Sequence, residues 1–76
     1  QTETPARQAE TNERAAAVRS SVQGLPEDLR EAIVLCEWED LSINEAAAIL
    51  ETTPKAAESR LYRARQLLRE RLKKWL

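Results

Sequence analysis

The chain has no histidine, methionine or phenylalanine, and only one cysteine, one glycine and three prolines among its 76 residues. Each shortage excludes something. Cys36 has no second cysteine and no histidine to join it, which argues against an internal disulfide, a zinc site or a redox pair. No nucleophile–base pair is evident and no Gly-rich loop is available to cradle phosphates, so the composition gives no support to catalysis, a cofactor or a metal. No apolar run approaches the ~20 residues of a membrane span, and no signal peptide is visible. A cytoplasmic setting without a membrane partner fits these absences. Gln1 in place of an initiating methionine points to a cut-down fragment of a longer protein. β-branched residues are few, whereas Ala, Leu, Glu and Arg dominate. That composition belongs to one small all-α domain.

The formal net charge of −1 hides an asymmetry. Residues 1–54 hold four cations against eleven acids, a net of −7, and residues 55–76 hold eight cations against two acids, a net of +6. Such a division suggests a polyanion-binding face at the C-terminal end. Basic residues near a helix C-terminus also complement its dipole, a plainer reading that the charge pattern leaves open.

Residues 1–9 lack apolar periodicity and read as a disordered lead or interdomain linker, with the domain proper over residues 10–76. A first helix is expected from Glu10 to Gln23, with Ala15, Val18 and Val22 on one face and Gly24 as a left-handed stop. A second opens at Pro26, with Glu27 and Asp28 at the positive end of its dipole. Its Leu29, Ala32, Ile33 and Cys36 follow helical spacing toward the core, where Cys36 is a small buried hydrophobe. A short third helix begins at Ser42, whose capping box closes with Glu45. Ala46, Ala47 and Leu50 form its inward face, and the small alanines permit close crossing by the helix that follows. Thr53 caps that last helix and Pro54 occupies its first turn, and the pattern runs to Lys74. At ~100° per residue, Ala57, Leu61, Ala64, Leu68 and Trp75 form one stripe. Lys55, Ser59, Tyr62, Gln66, Arg69 and Lys73 lie opposite, flanked by Glu58, Arg63 and Arg65.

A short helix, a tight turn and a longer helix with a polar outer stripe describe a helix-turn-helix within a four-helix domain without a wing. Such a second helix can enter a major groove. Ser59 and Tyr62 are able to approach bases, and Arg60, Arg63 and Arg65 surround them with donors for phosphate or guanine. An ordinary solvated, charged helix face is the competing description.

The segments "LPEDLREAIVL", "LSINEAAAIL" and "SRLYRARQLLR", in that order and separation, resemble region 4 of bacterial sigma factors of the extracytoplasmic-function type. The resemblance covers about Arg14 to Leu72. It implies a C-terminal domain that binds the upstream, minus-35 promoter element through its last helix. It further implies docking on the β flap of RNA polymerase and a partnership with an anti-sigma factor. By position, Ser59, Tyr62 and Arg63 would meet bases and nearby backbone, Arg60 and Arg65 phosphates or packing, and Asn44 a phosphate near the helix amides. A missing N-terminal domain would bind the downstream promoter element. Alternatives are a response-regulator C-terminal domain, and a sigma-like module that binds an anti-sigma factor rather than DNA.

The sequence departs from the family where glycine, threonine, valine and a basic residue usually precede serine-arginine. Here stand Lys55, Ala56, Ala57 and Glu58. Ala56 lacks a hydroxyl for a phosphate, and Glu58 is an anion where a cation is usual. Glu58 could accept a hydrogen bond from a cytosine amino group. It could pair on the helix surface with Lys55, the one charged side chain at the right spacing. Or it could weaken DNA binding in a domain that works through protein contacts. Altered promoter specificity is the preferred account.

Overall fold

In the computed structural model of the chain, residues 5–75 are described, with side chains from residue 12 onward. The order is helix α1 (Pro5–Gln23), helix α2 (Glu27–Ile33), a π-helical turn (Val34–Trp38), helix α3 (Ile43–Ile49), helix α4 (Pro54–Arg71) and a 3-10 turn (Lys73–Trp75). All regular structure among the described residues is helical.

α1 begins earlier than the expected Glu10, so residues 5–9 of the expected linker are helical, while residues 1–4 of that linker lie outside the described residues. Its end differs too. Gly24 does not adopt the left-handed conformation expected of it. Its amide instead donates to the Ser20 carbonyl, and Leu25 donates to Val22, so the helix tightens into its last turn without a change of hand. The glycine matters for approach rather than for φ. A Cβ there would stand 3.2 Å from Nη1 of Arg71, a side chain that donates to the Ser21 carbonyl and ties α4 to the end of α1.

Left-handed residues occur where no glycine stands: Asp40 (φ 61°) after the π turn and Glu51 (φ 56°) after α3. Each reverses the chain at a helix end. Leu41 donates back to Leu35 and Thr52 back to Ala47, which satisfies carbonyls that the helices leave open. Asp tolerates this region locally; Glu has no such excuse and carries backbone strain.

α2 starts beyond Pro26 with Glu27 and Asp28 in its first turn, and buries Leu29, Ala32 and Ile33. From Val34 the helix widens, with the Glu39 amide reaching the Val34 carbonyl. That widening leaves Cys36 half-buried beside the core rather than within it. Burial raises the pKa of its thiol, Glu37 raises it further and Arg65 partly offsets both. Trp38, at the end of the widened turn, is 55% exposed.

The core joins Val22 of α1 and Leu25 to Leu29 and Ile33 of α2 and Leu61 and Ala64 of α4. Val18, Val34, Ile43, Leu67 and Leu68 pack around them. α4 packs chiefly on α2 and α3 and more lightly on α1. Ala46 and Ala64 are fully buried, so the elements that carry them approach without large side chains between them. α4 closes at Arg71, short of the expected Lys74, because the chain tightens through Leu72 into the 3-10 turn.

Candidate nucleic-acid interface

Two side-chain caps set the geometry of the α3–α4 pair. Ser42 Oγ accepts from the Glu45 amide at 3.1 Å, and Glu45 Oε1 accepts from the Ser42 amide at 2.9 Å. The capping box expected from the sequence is therefore complete. The Ser42 amide, and to a lesser degree the Ser42 side chain, favour the ionised carboxylate and hold the pKa of Glu45 below the ordinary value. Thr53 Oγ1 accepts from the Ala56 amide at 3.1 Å, with Pro54 at the first position of α4. The caps satisfy amides that a helix start leaves open, and between them residues 50–53 turn the chain from α3 into α4.

The turn leaves one long side of α4 in solvent. Lys55, Glu58, Ser59, Tyr62, Arg63, Gln66 and Arg69 are exposed, as is Lys73 in the 3-10 turn that follows, and Ala57, Leu61 and Ala64 on the other side are buried. An open concavity lies between this side and the start of α3. Glu58, Ser59, Tyr62, Arg63 and Arg65 line it together with Ile43, Leu61 and Gln66. Five of the eight candidate residues thus converge. Asn44 stands exposed in the first turn of α3 and Lys55 in the first turn of α4, both outside the concavity. Arg60 is half-buried and does not line it.

Within the cluster the side chains differ in freedom. Tyr62 is 63% exposed, and its hydroxyl accepts from Gln66 Nε2 at 3.0 Å. Gln66, on the outer stripe, joins the site although residue type alone does not mark it; its place four residues after Tyr62 is the signal that couples the two. Arg65 Nη2 donates to Glu37 Oε1 at 2.7 Å, binding α4 to the π turn. Glu58 forms no ion pair among the described residues, so the surface pair with Lys55, one of the three accounts of this residue, is not made.

No group of His, Cys, Asp and Glu able to hold a metal occurs among the described residues, and none of their helices is long and apolar enough to cross a membrane.

A capped pair of helices with a polar, partly cationic outer stripe on the second defines a helix-turn-helix module of the nucleic-acid-binding kind. Comparison with known proteins narrows the class. Residues 15–68 match the family described as Sigma-70, region 4, and the chain belongs to that family. It is 38% identical over 66 residues to the RNA polymerase sigma-H factor of Pseudomonas aeruginosa, covering 87% of this chain and 34% of that protein. It is 44% identical over 48 residues to the ECF RNA polymerase sigma-E factors of Salmonella typhimurium and Escherichia coli K12, covering 63% of this chain and 25% of each factor. The chain therefore spans between a quarter and about a third of the length of these relatives.

Proposed function

We propose that the chain is the promoter-recognition domain of an alternative sigma factor of the extracytoplasmic-function type, binding the upstream promoter element and directing RNA polymerase to initiation. The observation that carries this reading is the solvent-facing side of α4, where Ser59, Tyr62 and Arg63 stand exposed around one concavity. A helix presented in this way meets DNA with its N-terminal turns. Arg63 has the reach and donor geometry for guanine or phosphate, and Ser59 and Tyr62 approach base edges. Lys55 and the half-buried Arg60 serve phosphates, as does Asn44 at the opening of α3. Arg65, already engaged by Glu37, acts mainly in packing and contributes a phosphate contact at the margin. The domain takes no part in chemistry; the polymerase core, docked through its β flap, supplies that.

The test is footprinting and transcription with RNA polymerase carrying the full-length factor. Protection of the upstream element, and loss of transcription when that element is scrambled, is the expected result. Equal transcription from both templates would refute the reading.

A second reading has a specific observation behind it. The net of −7 before Lys55, with Glu58 beyond it, suits a module that binds an anti-sigma factor in place of DNA. Capture of such a partner by a domain without promoter affinity would favour it.

A further inference from the structure

We infer that Glu58 is a specificity-determining residue that reads a cytosine in the upstream element, an inference that rests on the promoter-binding function proposed above. Three observations meet at this side chain. It belongs to the early turns of α4, the part of a recognition helix that reaches base edges. It lines the same concavity as Ser59, Tyr62 and Arg63, so a DNA groove that meets those residues also meets Glu58. And it is exposed without an ion-pair partner among the described residues, in a segment, residues 55–76, that holds eight cations.

A free carboxylate in that place repels phosphates and must shed water as the groove closes over it. The loss is offset only where the DNA presents a donor. Of the four bases, guanine offers acceptors alone in the major groove and thymine an acceptor and a methyl group. Adenine offers an amino donor beside the N7 acceptor, which repels a second anionic oxygen. Cytosine alone presents an amino donor with no acceptor next to it on the same base. Glu58 therefore acts by selection as much as by attraction, lowering affinity wherever cytosine is missing.

The decisive measurement is the affinity of polymerase carrying the full-length factor for every single-base variant of the upstream element. Parent, Glu58→Ala and Glu58→Gln are compared. The parent should favour cytosine at one position by about 5- to 150-fold, the range of one good side-chain–base pairing. Glu58→Ala should erase the preference at that position alone and raise affinity for the three other bases. Glu58→Gln should move it toward adenine, because an amide matches N6 and N7 together. Among the described residues the Glu58 side chain makes no hydrogen bond or ion pair, so both variants should melt with the parent. If the parent discriminates at other positions and both substitutions raise affinity uniformly, the inference fails and promoter binding stands. If the parent discriminates nowhere, promoter recognition fails and the inference with it.

Discussion

On the inward face of α4, Ala57, Leu61 and Ala64 are buried against the other helices, whereas Ser59, Tyr62 and Gln66 on the outer face stand in solvent. The two faces share one backbone, one N-cap and one set of intrahelical bonds, yet different physics selects their residues. Inside, volume decides: two alanines and a leucine fill the space that α2 and α3 leave. Outside, charge and reach decide, and volume is free. It follows that substitutions on the two faces should separate, one moving stability without recognition and the other recognition without stability.

The largest effect is expected inside. Leu61→Ala should destabilise the fold by about 2–5 kcal/mol, because the neighbours in the core cannot all collapse into the cavity. Denaturant unfolding measures it. A variant as stable as the parent would mean that Leu61 does not fill the core and that the two faces are wrongly divided.

Arg63→Ala tests the outer face. Promoter affinity of the polymerase-bound factor should fall by about 1–3 kcal/mol through loss of one charged contact, while Tm stays at the parent value. A drop in Tm with affinity unchanged would reverse the comparison for this residue.

The turn between α3 and α4 belongs to neither face but sets how one helix is presented by the other. Glu51→Gly should raise stability by about 1 kcal/mol, since glycine adopts the positive φ there without a Cβ clash. For a domain of this size that corresponds to a rise in Tm of roughly 4–8 °C. Affinity for DNA should stay unchanged. The capping box gives a further signature in pH. The pKa of Glu45 is lowered in the folded state, so its contribution is present above the ordinary value of about 4.5 and lost as the pH falls through the lower, folded value. Acid titration of Tm should therefore cost the parent more than Glu45→Gln.

What could be read from the sequence was local. Ser42 with Glu45, Thr53 before Pro54, and the spacing of Ala57, Leu61 and Ala64 each act within one or two turns of a helix, so residue type alone places them. The convergence of Ser59, Tyr62 and Arg63 follows from the same periodicity. Gly24 misled because a glycine permits a left-handed turn without requiring one, and the packing of Arg71 decides its surroundings. The left-handed Asp40 and Glu51 carry no glycine to announce them; the helices they join impose the reversal. The widening over Val34–Trp38 has no residue signature either. Glu37 and Arg65 are separated by 28 residues, a distance over which spacing rules say nothing.

That pair marks the border between the faces of α4 and sharpens the comparison with the smallest effect. Both side chains are about half exposed, at 52% for Arg65 and 42% for Glu37, so solvent screens their attraction. Glu37→Gln should lower stability by about 0.2–1 kcal/mol at low salt, an effect that fades as ionic strength rises. The same substitution releases Arg65, whose guanidinium can then turn toward a phosphate. The salt dependence of promoter binding should steepen by at most one phosphate contact. A cycle with Arg65→Ala separates the two roles. If Glu37→Gln leaves the salt slope of the parent unchanged and Arg65→Ala lowers stability by the same amount, Arg65 belongs to the packing of the π turn. If the slope steepens in Glu37→Gln and returns in the double variant, the arginine serves the outer face, held back by one carboxylate.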